Sequence, residues 1–239
     1  MIRDIPGATS LSTSLAAVYG VMVPPRNLTV ERELRMLLPP AAQWIVSRFS
    51  STADASLQDR TESYREQMVD WRNPFDGAGV TAAWIACTGA AYMLGPIRDR
   101  EVCQSISDET GIATLSATGA ILVALQGMGC ESVALVSPYP DWLTELSVGY
   151  WTAAGINVRT CIRVAAPGSE SPYDVRTHHI LDAMPSFVGS EDVPILFTGT
   201  GMATIEVMAK LSTSAAVLSS NLCGAWWLLT GQGHLAASA

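Results

Sequence analysis

The chain has 239 residues, of which 49% are hydrophobic and 15% are charged, so it can bury a large core, and this composition argues against disorder. Its net charge is −8, and its 14 lysines and arginines are scattered, which argues against nucleic acid and anionic lipid as partners. Five cysteines with no CxxC pair fit reduced thiols better than a disulfide framework.

Apolar runs of strand length alternate along the chain with stretches of helical period. In chain order, the predicted strands cover residues 18–23, 80–86, 112–115, 132–136, 157–162, 195–198 and 215–218. The predicted helices cover residues 31–38, 56–71, 118–128, 143–154, 177–187, 203–211 and 224–229. Gly129 and Gly155 stand where two of these helices end, as C-terminal glycines do. The pattern predicts an α/β fold in which helices cover both faces of parallel sheets.

A strand-turn-helix segment occurs twice in the chain. Gly199 in the second copy stands 112 positions after Cys87 in the first, and the proline loops at 24–25 and 138–140 match at an offset of 113. A third, weaker sequence similarity relates residues 115–118 to residues 218–221. Duplication predicts two pseudo-symmetric halves, residues 1–116 with 216–239 and residues 117–215, each a mainly parallel four-stranded sheet flanked by helices. Because ligands of such sheets lie beyond the carboxyl ends of the strands, where the repeated motifs also lie, we expect the ligand site there.

Cys87 is the main candidate for the chemistry. It follows an apolar strand and precedes Thr88, Gly89 and a run of helix formers. Its sulfur is therefore expected near the free N–H groups of a helix amino end, which favour the thiolate. The alternative is a buried structural cysteine, since free cysteine is among the most buried residue types. The repeated position favours the catalytic interpretation.

The matching loop in the second half carries two threonines and two glycines but no thiol. Its freed backbone N–H groups and hydroxyls, from Gly199, Thr200 and Gly201, can hold a carboxylate or enolate oxygen. The alternative is that the glycines only provide the turn geometry.

The two proline loops add hydrogen-bond donors at strand ends. Asn27, beside Pro24, offers an amide, and Tyr139 offers a phenolic hydroxyl. Ordinary loop chemistry or core packing is the alternative for both.

Other titratable groups are weaker candidates. His178 and His179 are adjacent and point in different directions on a helix, so they form no metal pair, and no metal site is predicted. Glu31 and Glu33 suit the first turn of a helix. Cys223 begins the last helix and is a rival thiol for the same cleft.

Location is predicted from what the sequence lacks. The run at residues 113–125 is shorter than the ~20 apolar residues of a bilayer span. The first residues include Asp4 and Pro6, unlike the basic and apolar start of a signal peptide. We expect a cytoplasmic protein without a membrane partner, and a homo-oligomer stays open.

Five motifs in order resemble the aspartate/glutamate racemase superfamily, in the branch of maleate cis-trans isomerases and arylmalonate decarboxylases. They are Val23-Pro24-Pro25-Arg26-Asn27, Ala86-Cys87-Thr88-Gly89, Val136-Ser137-Pro138-Tyr139, Thr198-Gly199-Thr200-Gly201-Met202 and Ser219-Ser220-Asn221. The resemblance covers about residues 18–229 and implies two α/β halves, a site between them, no cofactor and no metal. It implies Cys87 as the catalytic residue and substrate contacts from Pro24, Asn27, Thr88, Gly89, Tyr139, Gly199, Thr200, Gly201 and Asn221.

The chain departs from the family pattern at the second thiol. Members commonly carry one cysteine on each half, and this chain has Gly199 at the second position. Asn27 and Tyr139 resemble maleate isomerases, whereas Thr88 and the single cysteine resemble arylmalonate decarboxylases, whose cysteine lies on the other half. A further family asparagine has no counterpart between residues 159 and 179.

With one thiol, the chain lacks the second base that two-base racemisation requires, unless Cys223 supplies it. We therefore expect a cofactor-independent lyase or isomerase that acts on a small carboxylate or dicarboxylate through Cys87 and a neutral oxyanion cradle. The first hypothesis is arylmalonate-type decarboxylation with carbon protonation by Cys87, for which Trp226 and Trp227 would suit an aryl group. The alternatives are a maleate-type cis-trans isomerase with Cys87 as nucleophile, and a racemase-like enzyme of amino-acid, hydroxy-acid or solute catabolism. A carboxylate-binding module without catalysis also stays open, while a Cys-His hydrolase lacks a motif that brings a histidine to Cys87.

Overall fold

The computed structural model describes residues 17–52, 54–184, 193–211 and 216–230. In this part of the chain, strands and helices follow in the order β1 (Val18–Val23), α1 (Thr29–Leu37), β2 (Gln43–Arg48), α2 (Leu57–Val69), β3 (Val80–Ile85), α3 (Thr88–Leu94), α4 (Pro96–Thr110), β4 (Ala113–Ser116), α5 (Ala117–Gly127), β5 (Ser132–Ser137), α6 (Asp141–Ala153), β6 (Asn157–Arg163), α7 (Thr177–Ala183), β7 (Ile195–Phe197), α8 (Ile205–Met208), β8 (Val217–Ser219) and α9 (Ser220–Thr230).

The described strands form two parallel sheets of four, with the orders β2-β1-β3-β4 and β6-β5-β7-β8. The two orders correspond strand for strand. In the first sheet Ile85 pairs with Ser116, and in the second Phe197 pairs with Ser219. Each serine hydroxyl then accepts the backbone N–H three residues further on, at 3.0 and 3.1 Å respectively. The α/β fold of two repeated halves is confirmed, including the weaker similarity of residues 115–118 to residues 218–221 at the last strand of each sheet.

Most predicted elements agree with the structure. The predicted strands match β1 and β3 to β8 to within two residues at each end, although residue 215 lies outside the described part. Gly129 and Gly155 have φ values of 65° and 83°, which is the left-handed geometry expected of glycines that end helices. The largest differences among the described ends are in α9, which begins four residues earlier than predicted, and α8, which ends three earlier.

Strand β2 has no counterpart among the predicted strands. It lies at a sheet edge, and its side chains are exposed or half-buried rather than buried, so the segment lacks the continuous apolar run of a central strand. Helices α3 and α4 also had no predicted bounds. Gly95, with φ of 75°, separates them, and Pro96 begins α4 at the position where proline is best tolerated.

The boundary between the halves remains a prediction, and two neighbouring elements bear on it. Strand β8 pairs with β7 in the second sheet, whereas the predicted division assigns residues 216–239 to the first half. Helix α9, which follows directly, packs on the first sheet, because Gly224 lies against the ring of Trp84 on β3. The chain therefore crosses from one half to the other within a few residues of Ser219.

The halves share one main apolar core. A single cluster contains Val21 and Trp84 from the first sheet together with Leu135 and Leu196 from the second, all fully buried. Burial of this continuous cluster fixes the halves against each other and so fixes the cleft at the carboxyl ends of their strands.

Several predictions fall on residues outside the described part. They are the end of the helix predicted over residues 177–187, His234, and the parts of the predicted first half at residues 1–16 and 231–239.

Candidate active site

A cavity of about 30 Å³ lies between the halves, at the carboxyl ends of β1, β3, β5 and β7. The first half lines it with Pro24, Leu57, Arg60, Thr61, Tyr64, Cys87, Thr88 and Gly89, and the second half lines it with Tyr139, Leu143, Pro172, Tyr173, Thr200 and Gly201. Of the ten site residues predicted from sequence, seven line this cavity: Pro24, Cys87, Thr88, Gly89, Tyr139, Thr200 and Gly201.

Cys87 lies at the first turn of α3, as the strand-turn-helix pattern predicts. It is the N-cap residue, with φ of −143° and no side-chain capping hydrogen bond, and the backbone N–H groups of Gly89 and Ala90 are the nearby donors that favour its thiolate. The side chain is only 5% exposed. Burial raises the pKa of the Cys87 thiol to about 12, and the two N–H groups offset this only in part. The expected helix-end donors are therefore present, but the thiol stays protonated at neutral pH.

Thr88 and Tyr139 join the two halves beside Cys87. Their hydroxyl oxygens are 2.5 Å apart, and either one can be the donor. The pair carries two hydroxyl hydrogens, and the bond between them uses one. Burial raises the pKa of Tyr139 well above its ordinary value, so its hydroxyl stays neutral.

The loop with Thr200 and Gly201 faces this pair from the second half. The Thr200 hydroxyl donates to the Ala86 carbonyl at 2.9 Å and accepts from Asn27 Nδ2 at 2.9 Å, so its hydrogen is already used inside the protein. The backbone N–H groups of Thr200 and Gly201 have no hydrogen-bond acceptor among the described residues. In this loop it is therefore the backbone N–H groups, rather than the threonine hydroxyl, that can hold an oxyanion.

The buried carboxylate of Glu33 binds the same loop. Glu33 Oε1 accepts from the N–H groups of Thr204 and Ile205 at 2.5 and 2.9 Å, and Glu33 Oε2 accepts from Asn221 Nδ2 at 2.6 Å. Asn221 Nδ2 also donates to the Thr200 carbonyl at 3.1 Å. Burial raises the pKa of Glu33, and its hydrogen bonds offset part of this shift. Helix α1 of the first half therefore clamps the loop of the second half.

Asn27 and Asn221, which the resemblance implied as substrate contacts, do not line the cavity. Each is at most 1% exposed, and each directs its amide N–H₂ group at Thr200. Glu33, which the sequence suggested as a first-turn acid, is the partner that sequence reasoning missed, because its donors come from the distant residues 204, 205 and 221.

Gly199 occupies the position that corresponds to Cys87, and its backbone differs. Its φ is +95°, and a Cβ atom built there would lie 2.7 Å from Pro138 Cγ and 3.2 Å from Tyr139 Oη. No side chain fits at this point without movement. The turn interpretation of Gly199 is therefore supported by geometry.

Cys223, the rival thiol, belongs to the main core rather than to the cavity. It is 1% exposed and lies in the cluster with Trp84 and Trp227, whereas Cys87 belongs to a separate cluster with Tyr64. Trp227 is fully buried in that core and Trp226 is 36% exposed, and neither lines the cavity.

Helix α2 supplies a wall of the cavity that sequence reasoning missed. Leu57, Arg60, Thr61 and Tyr64 face it, at the spacing i, i+3, i+4, i+7 of one helix face. The helix itself was predicted, and this spacing was its available signal. Tyr173 also lines the cavity, and its ring would lie 2.6 Å from a Cβ atom built at Gly201.

Among the described residues, no group of histidine, cysteine, aspartate or glutamate side chains could hold a metal ion. In the same part of the chain, no helix combines the length and the apolar character needed to cross a membrane.

Two repeated parallel sheets, with one thiol and a neutral hydrogen-bonding loop at their junction, define an α/β protein whose site lies between two related halves. A model of the arylmalonate decarboxylase family matches residues 19–239, and the chain belongs to this family. The resemblance inferred from the five motifs is thereby confirmed.

Known relatives include both enzymes of that branch. A maleate isomerase of Geobacillus stearothermophilus is 24% identical over 160 residues, which is 62% of this chain and 63% of the isomerase. The match thus spans somewhat less than two thirds of the length of that curated relative.

Solved structures share the fold at low sequence identity. A Nocardia farcinica maleate cis-trans isomerase variant with a covalently bound succinylcysteine intermediate has a TM-score of 0.76 at 22% identity, covering 90% of this chain and 91% of its own. A Pseudomonas putida S16 maleate isomerase variant with maleate has a TM-score of 0.75 at 22% identity, covering 90% and 92%. A liganded variant of arylmalonate decarboxylase, with one cysteine introduced and one replaced, has a TM-score of 0.73 at 22% identity, covering 91% and 93%.

Proposed function

We propose that the protein is a cofactor-independent enzyme that acts on a small carboxylic acid, with Cys87 as the catalytic residue. The observation that carries the proposal is the pairing of one thiol with neutral donors in one small cavity between the halves. Thr88 and Tyr139 supply neutral hydroxyl groups, and the loop of Thr200 and Gly201 offers backbone N–H groups. Such donors stabilise negative charge that develops on a carboxylate oxygen.

Decarboxylation of a malonate-type acid is the first candidate. The bond between the α-carbon and one carboxylate breaks, CO₂ leaves, and the electron pair passes into the retained carboxylate as an enediolate held by the neutral donors. Cys87 then gives its thiol proton to the α-carbon, and the thiolate is reprotonated from water. A proton donor must carry its proton at rest, and burial, which raises the pKa of Cys87 to about 12, favours that state.

Cis-trans isomerisation of a dicarboxylate is the second candidate. It needs a thiolate that adds to a double bond and leaves again after rotation. Two related structures favour it, since one maleate isomerase variant holds a covalent succinylcysteine and another holds maleate. Burial raises the pKa of Cys87 to about 12 and so disfavours the thiolate, which argues against this candidate.

Two-base racemisation has less support. It needs a second acid or base on the opposite face of the substrate. Gly199 stands at the corresponding position, and the buried Cys223 lies in the main core instead. A non-catalytic binding module would keep the neutral donors without using the thiol.

An assay with phenylmalonate and with maleate, in H₂O and in D₂O, tests the proposal. We expect CO₂ release from the malonate, one deuterium at the α-carbon, and a loss of about 10²–10⁴-fold in kcat in Cys87→Ala. Cys223→Ala is the matched control, because it removes an equally buried thiol from the main core, and it should keep the wild-type rate. Equal rates in wild type and Cys87→Ala would remove Cys87 from the mechanism, and turnover of maleate alone would select isomerisation.

A further inference from the structure

Arg60 is the one charged side chain among the residues that line the cavity in the described structure. It lies on the face of α2 that also presents Thr61 and Tyr64. Thr61 approaches the floor of the cavity, because its Cγ2 atom lies 3.1 Å from a Cβ atom built at Gly89. Arg60 therefore belongs to the wall of the candidate site rather than to the outer surface.

The Arg60 guanidinium is anchored at one end. One Nη1 N–H group donates to the Ala55 carbonyl, just before the capping box of Ser56 and Asp59 that begins α2. A guanidinium has five N–H groups, so others remain for an anion in the cavity. The half-buried position makes a charged hydrogen bond there stronger than one in open solvent.

The positive charge of Arg60 affects two tyrosines that also line the cavity. Burial raises the pKa of Tyr64 and of Tyr173, and the nearby positive charges of Arg60 and Arg26 offset part of each shift. The wall is thus locally positive in a chain with a net charge of −8. Without such a site, the field of the whole protein would repel an anionic substrate.

The rest of the cavity lining is neutral. Thr88, Tyr139 and the loop of Thr200 and Gly201 can take one carboxylate without a cation. A second carboxylate in the same cavity would be desolvated and would require a partner of opposite charge or several donors. The planar guanidinium of Arg60, which can bind a carboxylate through two N–H groups at once, provides that partner.

We propose that Arg60 is a specificity-determining residue that binds a second carboxylate of the substrate, so that the site selects dianionic acids over monoanionic ones of the same length. The inference rests on the proposed function, because it concerns the same cavity. No residue of α2 was among the site residues suggested by the sequence.

Equilibrium binding of succinate and butyrate to the full chain tests this inference. Both acids have four carbons, and they differ by one carboxylate. Isothermal titration would compare wild type with Arg60→Gln, Arg60→Lys and the control Arg65→Gln, which removes a partly exposed arginine of the same helix that pairs with Glu66. Thermal unfolding of each variant shows that it is folded.

We expect Arg60→Gln to weaken succinate binding about 10- to 100-fold and to change butyrate binding less than about twofold. Arg60→Lys should lie between, since it keeps the charge without the fork, and Arg65→Gln should match wild type. An unchanged affinity for succinate, an equal loss for both acids, or a wild-type chain that does not prefer succinate would overturn the inference. Binding requires no turnover, so an inactive wild-type enzyme would contradict the proposed function while leaving this result to stand on its own.

Discussion

Replacing Gly199 by cysteine would restore the second thiol of the family pattern in sequence, but we expect it to destabilise the protein instead of adding a second base. The left-handed backbone at φ of +95° costs an L-residue about 1–2 kcal/mol. The contact of 2.7 Å with Pro138 Cγ adds about 1–3 kcal/mol of overpacking. The expected loss is therefore about 2–5 kcal/mol in the free energy of unfolding, a large share of the stability of a typical protein.

Urea denaturation of Gly199→Cys and Gly199→Ala measures this loss as a shift of the midpoint at constant m value. For a chain of this size, the melting temperature should fall by at least about 4 °C. Gly149→Ala is the control, because Gly149 lies within α6 and a Cβ atom there meets nothing within 4 Å. That variant should be neutral or stabilised by up to about 1 kcal/mol. A Gly199→Cys protein that unfolds like wild type and exchanges the α-proton of an α-substituted acid would refute the reasoning.

Three further predictions concern the site. Alkylation of Cys87 by iodoacetamide, followed by peptide mass mapping, should accelerate about tenfold per pH unit between pH 7 and 9, because its pKa is raised to about 12; a plateau near pH 8 would indicate a thiolate already formed. Tyr139→Phe should lower kcat about 100-fold or more, because it removes a neutral donor beside Thr88, and an unchanged kcat would leave Tyr139 a packing role. For Glu33, burial raises the pKa above its ordinary 4.5, so protonation favours the folded state. Wild type should therefore gain stability relative to Glu33→Gln in urea as the pH falls from 7 towards 4.5, and a loss of stability relative to Glu33→Gln over that range would mean that hydrogen bonds outweigh burial.

The sequence predicts those parts of the fold that are governed by local pattern. Central strands such as β3 and β7 are continuous apolar runs, so their bounds agree closely with the prediction. Strand β2 was missed because an edge strand needs no such run and is recognised only once its neighbour β1 is in place. The cytoplasmic location and the homo-oligomer stay predictions.

The site was predictable where the chain repeats itself and not where contacts cross between halves. Cys87, Thr88 and Thr200 follow repeated strands, and they meet in the cavity. From the sequence, Glu33 resembles an ordinary acid in the first turn of a helix, because its donors at residues 204 and 205 are distant in the chain and are known only from the structure. From the sequence, Arg60 resembles a surface charge, because only the structure shows which face of α2 lines the cavity.

Two features of the cavity favour different reactions, and their sizes can be compared. The carboxylate contact proposed for Arg60 would favour isomerisation, because it would stabilise a carboxylate that the product retains and oppose the loss of one bound beside it. That effect is worth about 1.5–3 kcal/mol, the range of a hydrogen bond to a charged group. Isomerisation starts from the Cys87 thiolate, whose formation at pH 7 from a pKa of about 12 costs about 7 kcal/mol, at about 1.4 kcal/mol per pKa unit. Proton donation starts from the neutral thiol and forms the same thiolate only as the α-carbon takes the proton, so the new C–H bond offsets part of that cost. The neutral resting thiol therefore supports the proposed decarboxylation, Arg60 supports the alternative, and the paired assay with phenylmalonate and maleate decides between them.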